Sequence, residues 1–186
     1  MEDGEAAAVR MMHHRLVATG KSHEPLSSFS HHFDRLPRSY LHTRCVGSPE
    51  DVLLDQKLLA DTEAKKRLVA HARLMHRVQV HYDDDGGGYP RGAQPPLPEL
   101  RSSRSTMQDE NFTHEITFAS RDKPKLLSQL SALMYGVGFH VHEAHIFTTT
   151  DGFCLSIFNV DGWPQEDVKG LLEAIKDEMI RENIYI

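Results

Sequence analysis

The feature that most narrows the folds open to this chain is a change of periodicity, repeated in order, across residues 112–186. Phe112 to Ser120 alternates, with His114, Ile116 and Phe118 on one side and Glu115 and Thr117 on the other. That predicts a strand buried on one face. Arg121-Asp122-Lys123-Pro124 breaks it, with Asp122 placed to cap a helix and Pro124 in its first turn. Leu126, Leu127, Leu130, Leu133, Met134 and Val137 then share one helical stripe, and Gly136 and Gly138 supply the stop. Strands over 139–149 and 153–160 follow, joined at Asp151-Gly152, a pair that suits a tight hairpin. Asp161-Gly162-Trp163-Pro164 ends the sheet. A second helix, from about Gln165 to Arg181, carries Val168, Leu171, Leu172, Ile175 and Met179 on one face. Two such helices need one face of an antiparallel sheet. The expectation is an α+β fold, a ferredoxin-like βαββα module that still wants its fourth strand.

The remainder divides into two parts. Residues 1–82 read as a mixed α/β, loosely packed region. Helices are expected over 6–19 and within 25–40, the latter ending at Pro37. Ser48-Pro49-Glu50-Asp51 opens a third, with the acids facing the positive helix end and Leu53, Leu54, Leu58 and Leu59 forming its apolar face. From Leu74 to Val80 the period becomes two, which predicts a strand, although a helix continued through His71 and Ala72 competes. Residues 83–110 read as a disordered linker: three aspartates, three glycines, then Pro90, Pro95, Pro96, Pro98 and a Ser/Arg run leave nothing to bury. The module of 111–186 completes the chain. At its end, Asn183 to Ile186 is expected to pair as a short fourth strand, or a partner chain to supply that edge.

Several residues of the module resemble an ACT domain, a small-ligand regulatory unit: Asp122-x-Pro124-x-Leu126-Leu127, Gly138-Phe139, and the hairpin. Asp122 to Leu130, Glu143-Ala144-His145, Asp151-Gly152-Phe153 and Asp161-Gly162-Trp163-Pro164 are similar to one family more closely. It is the plant Raf-like serine/threonine kinases that carry an ACT domain ahead of the kinase domain. His31 to Pro37 and Glu50 to Leu54 resemble the region preceding that domain. The resemblance implies an amino-acid ligand against the loop from first strand to first helix, often at a dimer interface. Backbone amides at a helix start would attract its carboxylate. The matching positions are Arg121, Asp122, Lys123, Pro124, Lys125 and Leu126, with Gly138, Phe139 and His140 opposite. Many ligand-binding members have glycine where this chain has Lys125; lysine adds a cation and fills space. A structural or dimerisation role for the same loop is the competing reading.

No catalytic residue and no cofactor are expected. Gly86 to Gly92 lacks the Gly-x-Gly-x-x-Gly spacing, and no Val-Ala-Ile-Lys, His-Arg-Asp or Asp-Phe-Gly would hold ATP phosphates or magnesium. Thirteen histidines invite a metal, yet no companion cysteine or His-Glu-x-x-His spacing supports one. His140 and His142 would share a strand face, with His145 opposite unless a bulge intervenes. Cys154 reads as a packing group rather than a nucleophile. Net charge is −6, and residues 112–186 hold 11 acidic against 6 basic side chains, which argues against nucleic acid. No apolar run approaches the roughly 20 residues of a membrane span, no secretory signal opens the chain, and two cysteines fit a reducing, cytoplasmic setting. The expectation is a non-catalytic regulatory protein, a truncated or spliced kinase form. It would self-associate through the ACT domain, pair with full-length kinases of its family and take a small amino-acid ligand. The alternatives are an incomplete stretch of an active serine/threonine kinase and a free-standing amino-acid sensor.

Overall fold

A computed structural model of the chain describes residues 3–45, 47–78, 111–163 and 167–182. Four helices come first: α1 (Asp3–Ala18), α2 (Leu26–Asp34), α3 (Arg38–Cys45) and α4 (Pro49–Lys65). Then follow β1 (Val69–Val78), β2 (Asn111–Arg121), α5 (Leu126–Val137), β3 (His140–Thr148), β4 (Phe153–Asp161) and α6 (Val168–Arg181). The single helix expected within 25–40 is two, because a proline cannot continue a helix and bars α conformation just before it; α3 starts only after Pro37. The fold is α+β, with an antiparallel sheet ordered β1-β2-β4-β3 among the described residues.

The fourth strand comes from an unexpected place. β1 pairs with β2 in the register Val69↔Ala119, Ala72↔Ile116 and Leu74↔His114, slipping between Leu74 and His76. The edge of β2 is therefore filled from within this chain, by a segment that precedes residues 83–110. Neither a C-terminal stub nor a partner is required there, and Asn183–Ile186 lies outside the described residues. Buried backbone groups along β2 need partners, and β1 supplies them. The helix that competed for His71 and Ala72 is excluded at Lys66. That residue caps α4 in the left-handed conformation, φ 54°, its N–H donating to the Thr62 carbonyl at 2.9 Å.

Each face of the sheet carries a helical layer. On one, α5 and α6 bury Leu130, Leu133, Met134, Leu171 and Ile175 against Ile116, Phe118, Phe158 and Val160. Fully burying each such side chain stabilises by roughly 1.5–3 kcal/mol. Leu127, expected on the stripe, is 49% exposed. Gly136 does not stop α5; it lies inside it, and a β-carbon there would come 2.0 Å from Glu178 Oε1 of α6. The stop is Gly138, φ 94°.

On the other face, Leu16, Phe29, Tyr40, Val52 and Leu59 from α1–α4 pack with Ala119, Phe147, Leu155 and Ile157. The amino-terminal region is thus closely packed, not loose. For the same reason β2 is buried on both faces, so Glu115 and Thr117 lie inside where the alternation predicted solvent. The two parts are also clamped at the rim. Arg35 donates to Asp151 Oδ2 at 2.7 Å and pairs with Glu63, and the Thr150 N–H donates to the Arg35 carbonyl at 2.8 Å. The β3–β4 hairpin turns as expected at Asp151-Gly152, with Gly152 at φ 84°.

Candidate functional site

The β2–α5 loop turns sharply before the helix begins. Leu126 N–H donates to the Lys123 carbonyl at 3.2 Å, with Pro124 and Lys125 between them. Pro124 fixes the first corner and Lys125 takes the second at φ 67°, ψ 11°, a type II pattern that favours glycine at that corner. The backbone therefore has the glycine shape while carrying a lysine whose residue is exposed. Asp122 does not cap α5: no side chain does, and the Asp122 N–H donates instead to the Gly152 carbonyl at 2.9 Å. Arg121, Asp122, Pro124 and Lys125 are exposed, Lys123 is half-buried, and Leu126 is buried in the core.

Gly138, Phe139 and His140 stand at the other end of α5. Twelve residues separate the two ends, roughly 18 Å at 1.5 Å per residue. One chain does not bring the two predicted halves together. Phe139 is buried beside Trp163, ring centroids 6.3 Å apart. His140 Nδ1 and His142 Nε2 bracket Asp161 at 3.0 and 2.7 Å. Both imidazoles hold the Asp161 carboxyl below its usual range against the opposing effect of burial. A bulge between Val141 and Glu143 permits this and places His145 beside Glu143, 2.8 Å away. Among the described residues no three His, Cys, Asp or Glu side chains gather as a metal site. Burial pushes the Cys154 thiol up, away from nucleophilic use.

The strongest polar constellation was not foreseen from sequence. Arg44 of α3 grips Asp55 of α4 with two bonds, Nε to Oδ2 at 2.8 Å and Nη2 to Oδ1 at 2.9 Å. Arg73 of β1 pairs with Asp51 and, at 2.9 Å, with Glu115 of β2. The Tyr40 hydroxyl donates to Asp55 Oδ2 at 2.9 Å and accepts from His32 Nε2 at the same distance, which fixes the Nε2–H tautomer of a neutral ring. Burial, aided by Arg35, Arg44 and His31, lowers His32 to about 3. Burial raises Asp55 to about 6 despite Arg44. The signal for this cluster was present in α4: Asp51 and Asp55 occupy the same buried stripe as Val52, Leu58, Leu59 and Thr62. Acids on an apolar stripe announce buried partners.

These groups bind one another, and their chemistry is that of a brace. Arg73, Asp51, Glu115, Glu143 and His145 also line a groove of about 440 Å³ between α3–α4 and the sheet. No residue of the β2–α5 loop or of Gly138–His140 lines this groove. Among the described residues no helix is long and apolar enough to cross a membrane.

No known family profile matches the chain, and no solved structure does. Two curated plant proteins do. Over 79% of its length the chain is 34% identical to serine/threonine-protein kinase STY46 of Arabidopsis thaliana, and over 80% it is 33% identical to serine/threonine-protein kinase STY17 of the same plant. It covers 31% and 32% of their lengths. What the chain resembles, over about four fifths of itself, is a stretch about one third as long as two plant serine/threonine-protein kinases.

Proposed function

We propose that the chain is a non-catalytic regulatory stretch of the kind found in plant serine/threonine kinases, built around an ACT domain. The observation that carries this reading is the strand order β1-β2-β4-β3 with both α5 and α6 on one face. A ferredoxin-like module with its fourth strand contributed from the amino-terminal side would have this order, which supports the reading. The relatives' names supply the kinase context, and none of the kinase motifs for ATP phosphates or magnesium is written in these 186 residues. Phosphoryl transfer would then belong to another part of such a protein.

Regulation in this reading works by binding. The two halves of the predicted ligand site lie at opposite ends of α5, so a ligand touching both needs two copies side by side. An amino-acid carboxylate would meet the exposed Lys125 and the amides at the start of α5. The same surface, with the α5 and α6 helices, would join two copies or a full-length kinase of this kind in the cytoplasm. The test is light scattering of the full 186-residue chain, alone and with a panel of amino acids. A dimer whose population rises with one of them supports the reading. A monomer indifferent to every amino acid overturns the ligand and association parts together.

A further inference from the structure

A cavity of about 720 Å³ opens where α6 crosses the start of β1. Its floor is apolar: Leu68, Ala70, Leu172, Ile175 and Met179, with Ile180 at the lip and 71% exposed. Its mouth is cationic, formed by Lys65, Arg67 and Lys176, with Lys66 beside them but its ammonium over the Phe153 ring at 6.0 Å, and among the described residues no acidic side chain lines it. Lys65 is shared with Asp61 at 3.2 Å, whereas Arg67 and Lys176 make no ion pair among the described residues. A chain of net charge −6 has here set three cations, Lys65, Arg67 and Lys176, at the rim of an oily groove. Beside it runs the outer edge of β1, which among the described residues pairs with β2 alone. The outward N–H and C=O groups of an edge strand are a template for another strand.

We propose that this groove binds an acidic peptide bearing apolar side chains, laid extended along the outer edge of β1. Three features agree on that occupant. The edge supplies main-chain hydrogen bonds, the floor takes alternate side chains of the added strand, and the cations meet carboxylates at the rim. A fatty acid would use the floor and one cation but leave the strand edge unpaired. A basic or purely polar peptide would lose either the charge or the apolar match.

The probe is a fluorescein-labelled decapeptide alternating glutamate with leucine and valine, titrated with the full chain and followed by anisotropy. Saturable binding at micromolar concentration is expected, weakening with added salt because the rim charges are screened. A decapeptide with serine in place of its apolar residues, and one with lysine in place of glutamate, should bind at least about tenfold less tightly. Ile180→Asp should weaken the first peptide by about tenfold or more, since it places a carboxylate at the lip of the floor. Lys176→Glu should do so through the rim. Both positions are at the surface, and an unchanged thermal midpoint confirms that the variants fold. Absence of saturation at millimolar chain, affinity indifferent to both variants, or displacement of the peptide only by self-association of the chain would overturn the proposal. Binding of oleate in the groove with no peptide binding would overturn it as well.

Discussion

The two faces of the sheet are covered by different means. Against α5 and α6 the contact is almost wholly apolar, with Phe118 and Phe158 edge to face and 6.0 Å apart. Against α1–α4 the contact begins the same way around Phe29, Tyr40 and Phe147, then turns ionic where α3 and α4 cross β1 and β2. An apolar contact drives burial without direction, and several sliding arrangements satisfy it. The Arg73 bridge between Asp51 of α4 and Glu115 of β2, with Arg44 of α3 also 3.7 Å from Glu115, accepts one arrangement only, because every misplacement strands a buried charge. The bidentate Arg44–Asp55 pair locks α3 to α4. The apolar face supplies affinity between layers; the ionic face fixes where the helical cap sits on the sheet.

Truncation on each face breaks this comparison most directly. Phe158→Ala on the apolar face should cost about 3–5 kcal/mol through the cavity it leaves. Arg44→Met should cost about as much, 3–5 kcal/mol, by leaving Asp55 buried without its partner. The faces part company on rescue. Arg44→Met combined with Asp55→Leu should recover at least half of that loss, read as a urea midpoint. A double variant as unstable as the sum of its parts would show that the ionic face is held by packing alone.

Acidity sharpens the comparison further. Asp55, raised from 3.8 to about 6, is protonated in the fold but ionised in the unfolded chain across that window, so its contribution to stability falls as pH rises through it. His32, lowered from 6.5 to about 3, is neutral in the fold while the unfolded chain binds a proton, so its contribution rises with pH between those values. Between about pH 4 and pH 6 the two slopes oppose and largely cancel. His32→Gln removes one of them. Its stability should then fall, relative to the native chain, as pH is raised from 4 to 6 in equilibrium unfolding. A difference that stays level with pH would remove His32 from the account.

The smallest effect concerns the loop between the layers. Lys125 holds a left-handed backbone at φ 67°, which costs a non-glycine residue about 1–2 kcal/mol. Glycine relieves that but adds unfolded-state freedom, so Lys125→Gly should gain roughly 0.5 kcal/mol. If the same variant loses binding of an amino acid, the lysine cation takes part in that binding; if binding is unaltered or absent, it does not.

The sequence made one side of the molecule legible because its signal is local. The stripes of α5 and α6, the alternation of β2 and the Asp151-Gly152 turn each declare themselves within about a dozen residues. The other side depends on pairings remote in the chain. The strand read from Leu74 to Val80 begins at Val69 instead, because its remote partner His114–Ala119 pairs with Val69–Leu74. Glu115 read as solvent-facing because nothing near it in sequence names Arg73 and Arg44 as its partners. The ligand-site residues were placed by resemblance, and the fold sets them at two ends of one helix. Of the unforeseen cluster, only the Asp51–Asp55 spacing on an apolar stripe was there to be read.

The central claim is that β1 and the helical cap belong to the same cooperative body as the β2–β4 sheet. Native-state hydrogen exchange of the full chain, followed residue by residue, tests it most directly. The account predicts that the paired amides of β1 over 69–74 open with the same free energy as those of β2 and β4. Amides of β1 exchanging freely while β2 and β4 stay protected would contradict it, and would return the edge of β2 to the search for another partner.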